Sequence, residues 1–276
     1  MNHRFSIARK PVIWFYIFAF LLSWLGWVPQ LLHARGIIGF DSPVFTFLGV
    51  GGPTLAAVLV VWVKYGRRAI PGLFSPLAKA KVDAWSWITA LFAWAAITGA
   101  ALALGALVGI PLPDPEKFGP ITGLLPVFIM MLLSNVWEEI GWRGFALPML
   151  QKRWSAIIAS LIMAPLWVLW HLPLLLNPQN AMSTFPWWAE IVFTFALTIL
   201  YTSLYNQSKG SLLMVTIFHA MSNTAAYWLM ETSPSFASHY LWTVAVTTFL
   251  AVIVVFVCKP ETLSRLPKVV DAPFES

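Results

Sequence analysis

ITGLLPVFIMMLLSNVW, residues 121–137, is an unbroken uncharged run that ends directly on Glu138-Glu139-Ile140-Gly141-Trp142-Arg143. A stretch of this length and composition reads as most of a membrane-spanning helix. A carboxylate in hydrocarbon costs roughly 2.5–3.5 kcal/mol on insertion scales, so acids at such depth usually serve a function. Two adjacent carboxylates cost more than one, because like charges that close cannot both ionise cheaply. Acid–base chemistry or metal ligation is the first use to expect of them.

The rest of the chain repeats the apolar theme. Of 276 residues 59% are hydrophobic and 10% charged, against about 25% charged in a soluble domain. Runs long enough to span cover 12–32, 44–63, 84–108, 119–142, 155–176, 187–206, 211–230 and 237–257. They predict an all-α, polytopic bundle of about eight spans, one integral-membrane domain over 1–276. The first run is too long for a cleaved signal peptide and lacks a small-residue cleavage site, so it reads as the first span.

Basic residues fix the expected orientation. Arg4, Arg9, Lys10, Lys64, Arg67, Arg68, Lys79, Lys81, Lys152, Arg153, Lys209, Lys259, Arg265 and Lys268 fall at one end of the spans. Only Arg35 and Lys117 fall at the other. By the positive-inside rule the N- and C-termini are cytoplasmic. This bias and anionic lipid account for the net charge of +6, leaving no case for nucleic-acid binding. The segment 66–83, basic and broken by Pro71 and Pro76, reads as an interfacial linker on the cytoplasmic face. Cys258 is the single cysteine, so no internal disulfide forms; an apolar filler role is expected over palmitoylation.

Sorting the acids by position leaves Glu138 and Glu139 alone for deep chemistry. Asp41, Asp83, Asp114, Asp271, Glu116, Glu231, Glu261 and Glu275 fall in loops or tails, and Glu190 near the outer boundary beside Trp187 and Trp188. No aspartate is placed for an aspartyl dyad, and no His-Glu-x-x-His helix occurs. His3, His33 and His239 read as solvated terminal or loop residues. His171 and His219 fall inside the fifth and seventh runs. Asn223 follows His219 by four residues, and Arg143 follows Glu139 by four, so each pair shares a helix face. The Glu139–Arg143 pair reads as structural neutralisation. At a rise of about 1.5 Å per residue, Glu139 lies roughly 20 Å from Lys152, His219 about 15 Å from Lys209 and His171 about 27 Å from Arg153. One cavity is compatible with these depths, His171 being the poorest fit, and Pro165 is placed to kink its helix.

With no activated Ser or Cys in view, water is the expected nucleophile. Glu138 is suited to general base, His171 to sharing the water, and His219 with Asn223 to donating to a developing oxyanion. The same Glu138, His171 and His219 could instead hold a divalent metal such as zinc and acidify its water. His plus Glu serves both schemes.

The stretches EEIGWRGFALPMLQKRW (138–154), WVLWHLP (167–173) and LYNQSKGSLLMVTIFHAMSNT (204–224) resemble the CAAX prenyl protease type II and bacteriocin-processing (CPBP, or Abi) family of intramembrane proteases. Its motifs are Glu-Glu-x-x-x-Arg, Phe-x-x-x-His and His-x-x-x-Asn/Asp. The first falls on Glu138, Glu139 and Arg143, and the third on His219 and Asn223. The second keeps His171 but has Trp167 in place of Phe, which preserves the aromatic bulk. The matched core is about 120–228. The resemblance implies catalytic roles for all six residues: Glu138 and His171 position the hydrolytic water, and His219 and Asn223 act on the scissile carbonyl. Family members are often described as metallopeptidases, and a metal-free glutamate mechanism has also been argued. It further implies a peptide or membrane-protein substrate, prenylated or plain, in a multi-pass protein of the bacterial plasma membrane. A non-enzymatic immunity or binding protein using the same polar cavity is the alternative. A proton-coupled transporter is a weaker one, since the halves show no internal repeat.

Overall fold

The computed structural model describes Ile7 and residues 9–275; His3 and Arg4, placed above at the N-terminal end, lie outside the described residues. Each apolar run forms a helix: α1 Pro11–Ala34, α2 Pro43–Tyr65, α3 Ala84–Leu107, α4 Leu124–Gln151, α5 Ala156–Trp170, α6 Trp187–Gln207, α7 Leu212–Thr232 and α8 Phe236–Cys258. Among the described residues there is no strand. Six of these helices are long and apolar enough to cross a membrane. Of the other two, α5 is a shorter apolar helix. The hydropathy of α7 is thinned by His219, Ser222, Asn223 and Thr224.

Local chemistry sets several helix starts. Side chains of Ser42, Asp83, Ser155 and Ser211 accept from backbone N–H groups of the first turns of α2, α3, α5 and α7, satisfying donors that a helix start leaves orphaned. Partial burial acts to raise the pKa of Asp83, yet hydrogen bonds from the Ser86 backbone and hydroxyl outweigh it and hold the carboxyl below its ordinary range. The α1–α2 hairpin is closed by small residues. The Ser23 hydroxyl donates to Gly49 O at 2.6 Å, and a Cβ on Gly52 would collide with Ser23. Such close backbone approach is how helices associate where apolar burial gives no preference over lipid.

Two helices depart from the sequence boundaries. The expected start of α4 at 119 is delayed to Leu124, because Gly119 takes φ +79° and Pro120 follows it. Its far end continues past 142 to Gln151. In between, Ile140–Ala146 is a π-helical stretch in which Leu147 N–H bonds Trp142 O, five residues back. The expected 155–176 span is divided: α5 ends at Trp170, and a separate turn, Leu172–Leu175, carries Pro173, which has no N–H to continue the α5 ladder.

At the charge-rich end the linker does more than lie on a surface. Its short helix Ile70–Phe74 buries Leu73, and Gly72 packs on the chain at Pro273–Phe274, where an added Cβ would stand 2.6 Å from Pro273 O. Phe274 is buried and stacks on Phe145 with ring centroids 5.4 Å apart. Glu275 accepts from Tyr65 Oη at 2.8 Å and pairs with Lys152. Burial works to raise the Glu275 pKa, but these two partners dominate and depress it. The sign follows: the contribution is complete above the ordinary glutamate pKa of about 4.3 and is lost as pH falls through the depressed value. Acidification is therefore expected to raise amide exchange in 262–275 before the helices respond, and Glu275→Gln to do so at neutral pH, as hydrogen-exchange mass spectrometry would read.

Candidate active site

Glu138 and Glu139 end the regular α-helical part of α4, and the π-helical turn follows at once. Such turns recur at functional sites because they widen the helix and re-aim side chains. This one is clasped from outside by α2: a Cβ on Gly141 would stand 2.6 Å from the Pro53 carbonyl carbon. Gly141→Val is accordingly expected to cost about 1–3 kcal/mol, the range for overpacking, and to lower activity with it. Thermal unfolding in detergent checks the first and peptide cleavage the second.

Inside the turn, Glu139 and Arg143 are both fully buried. Arg143 Nη1 donates to Glu139 Oε1 at 3.0 Å. The guanidinium lies between the rings of Trp167 at 4.4 Å and Tyr201 at 4.5 Å. A planar delocalised cation suits that slot, where cation–π attraction offsets part of its desolvation. The same Oε1 is 2.8 Å from His219 Nδ1. With Glu139 as acceptor, Nδ1 carries a proton and Nε2 is left for the cavity.

His171 is oriented from the other side. Its Nδ1–H donates to Trp167 O at 3.1 Å, so in the neutral ring Nε2 is an acceptor. Trp167 also packs against both imidazoles, with centroids 5.8 Å from His171 and 5.6 Å from His219. The substitution of Trp for Phe in that motif thus puts one indole against the arginine and both histidines. Glu138 is 8% exposed, and its Oε2 is buried with no hydrogen-bond partner in the protein. It lies in electrostatic range of His219, Glu139 and Arg143, and His219 in turn of His171.

These groups face a cavity of about 500 Å³ lined by Glu138, His171, His219, Ser222 and Asn223, with Glu139 and Arg143 behind it. That is within the usual size of a ligand site. All six sequence candidates therefore meet in one place. His171, the poorest fit by depth, stands about 22 Å along α5 from Ala156, against about 20 Å from Gln151 to Glu138 along α4. α7 begins deeper than its loop suggests, since Leu212 packs beside Gly144.

Sequence reasoning missed three features. Asn135, 2% exposed, accepts from Asn223 Nδ2 at 3.2 Å, while its own Nδ2 has no partner and it lines the cavity. Its place one turn before Glu138–Glu139 was the available signal. Glu190, expected near the boundary, is instead buried at 7% exposure and lines the same cavity. It accepts from Tyr240 Oη and, at 3.3 Å, from Thr194 Oγ1. Its i+4 threonine and a tyrosine on α8 supply the hydroxyls that make burial tolerable. His239, expected to be solvated, is fully buried in the first turn of α8 with Nδ1 2.7 Å from Ser233 Oγ. Tyr240→Phe leaves one Glu190 oxygen without its donor and is expected to cost about 1–3 kcal/mol, read as a lower unfolding temperature in detergent.

Residues 120–225 match the family model for type II CAAX prenyl endopeptidase, Rce1-like. The CAAX prenyl protease 2 of Methanococcus maripaludis is 33% identical over 108 residues. That alignment covers 37% of this chain and 40% of the relative, so the chain matches well under half of the relative's length. The matched segment runs from the start of α4 to the site residues of α7 and contains Glu138, Glu139, Arg143, His171, His219 and Asn223. Over that segment, this integral membrane chain is similar to the type II CAAX prenyl endopeptidase family.

Proposed function

We propose that the protein is an intramembrane endopeptidase in which Glu138 drives attack of water on a peptide bond. The observation that carries this reading is the unpartnered, buried Glu138 Oε2 on the wall of a cavity shared with two imidazoles, each tethered by its Nδ1.

A water held by Glu138 and His171 Nε2 gives its proton to Glu138 as its oxygen bonds to the scissile carbonyl carbon. The carbonyl oxygen becomes an oxyanion. His219, whose Nδ1 is held by Glu139 as a serine protease histidine is held by its aspartate, donates to that oxygen from Nε2 when the ring carries both protons. The amides of Asn223 and Asn135 add donors. Collapse of the adduct breaks the C–N bond, and Glu138 returns its proton to the departing amine. The new ends are a carboxylate and an amine, with one water consumed.

Resident metal is a separate question. Two imidazoles oriented by a carbonyl and a carboxylate are what metal sites use. Among the described residues, however, no three His, Cys, Asp or Glu side chains gather closely enough to hold an ion. Glu138, His171 and His219 would have to converge further to hold zinc, so no step is routed through one. Dialysis against a chelator is expected to leave cleavage unchanged; loss restored by zinc would assign those three residues as ligands. Similarity to type II CAAX prenyl endopeptidases supports a membrane-associated peptide, prenylated or plain, as the substrate. Cleavage of both peptide types by detergent-purified protein, followed by mass spectrometry, tests the reading. Glu138→Ala separates enzyme from binding protein. The enzyme loses cleavage while retaining peptide binding, and a wild type that binds peptides without cutting any would overturn the reading.

A further inference from the structure

Among the described residues, the cavity reaches the surface through connections at one end of the bundle. Its lining includes Asp41 from the α1–α2 connection, and Asn177, Gln179 and Met182 from the α5–α6 connection. Asp41 and Gln179 are exposed. No residue of the connections 66–83, 152–155 and 208–211, or of the tail after 258, lines it.

Those unused segments form the opposite end, where the basic residues gather. Lys79 Nζ donates to Lys209 O at 2.6 Å, Ser211 Oγ to Lys79 O at 2.7 Å, and Lys268 Nζ to Trp154 O at 2.7 Å. Lys152 pairs with Glu275, which also holds Tyr65. The route from that end to Glu138 is filled. Arg143, Trp142, Phe145 and Phe274 are each at most 1% exposed, and Phe274 seats the tail against the π-helical turn. Glu138 is thus reachable from the charge-poor end and walled off from the charge-rich one.

The positive-inside bias turns this polarity into an orientation. Short connections rich in Lys and Arg stay in the cytoplasm during insertion. The end bearing only Arg35 and Lys117 then lies outside it. We infer that the catalytic cavity opens on the non-cytoplasmic face, and that its substrate is a polypeptide segment already translocated across, or inserted through, the membrane. This rests on the endopeptidase reading for the word substrate, though not for the orientation. It places the reaction after a translocation or insertion step, which must supply the segment. The cavity wall carries Asp41, Glu138 and Glu190 and no Lys or Arg, so a lysine-containing peptide is the natural probe.

Cysteine labelling of the full-length protein in a Cys258→Ser background tests the orientation. Gln179→Cys and, as a second mouth position, Asp41→Cys are expected to react with a membrane-impermeant maleimide in intact cells as fully as after permeabilisation. Arg68→Cys is expected to react only after permeabilisation. The reverse pattern, or equal reaction of both ends in intact cells, overturns the inference. A charged lysine-containing peptide added outside sealed right-side-out vesicles should be cut without opening them. Cleavage only after lysis overturns the inference as well. Labelling as expected with no cleavage from either side would instead count against the endopeptidase reading, and the orientation would stand.

Discussion

Glu139→Leu is expected to be the most damaging single replacement in the molecule, destabilising it by about 3–5 kcal/mol, because it leaves the Arg143 cation buried without its anion. Both side chains are fully buried, and the same Glu139 oxygen also holds His219. The π faces of Trp167 and Tyr201 cannot replace that charge: cation–π contacts amount to about 2 kcal/mol when desolvated. The double replacement Glu139→Leu with Arg143→Leu should recover much of the loss, since a buried ion pair and apolar side chains of similar volume are often close in stability. Thermal unfolding in detergent of the two single variants and the double one reads the coupling directly. Additive losses would mean that the pair does not act as a unit. Activity should not return with stability in the double variant, because His219 would have lost the carboxylate that orients it.

Glu138→Gln is expected to lower kcat by about 10²–10⁴-fold, the usual contribution of a positioned general base, with KM little changed. The amide nearly preserves size and hydrogen bonding but cannot take a proton from water. Glu138 contacts neither Arg143 nor His219 in the ion-pair network, so its fold should be retained. Steady-state kinetics on one peptide measures the split. An effect confined to KM would make Glu138 a binding residue. On this proposal the adjacent glutamates separate by role: Glu138 faces the cavity, and Glu139 compensates Arg143 and holds His219.

Much of this was legible in the chain because hydrocarbon is an unforgiving solvent. Polar residues are so costly there that Glu138, Glu139, Arg143, His171, His219 and Asn223 stand out against their runs. The expected starts at 44, 84, 155 and 211 fall within one residue of the helices that Ser42, Asp83, Ser155 and Ser211 cap. The π-helical turn was not legible, since nothing in Ile140–Ala146 announces an added residue per turn, and its packing of Gly141 on Pro53 joins residues far apart in the chain. Glu190 and His239 were misplaced for a related reason. Their sequence positions lie near helix ends, but Tyr240 and Ser233 supply partners that draw them inside. Asn135 was passed over because an uncharged amide raises no alarm by composition, although its spacing from Glu138 puts it on the same face. The docking of Phe274 and Glu275 depends on contacts about 120–210 residues away and leaves no local trace.

The central claim is peptide hydrolysis by Glu138-activated water, and one experiment in ¹⁸O-water meets it most directly. Wild type and Glu138→Gln, shown to unfold at the same temperature, are incubated with one peptide and the products are weighed. The account predicts a product from wild type whose new carboxylate carries one ¹⁸O, and no comparable product from Glu138→Gln. Cleavage by both proteins at the same rate would contradict it.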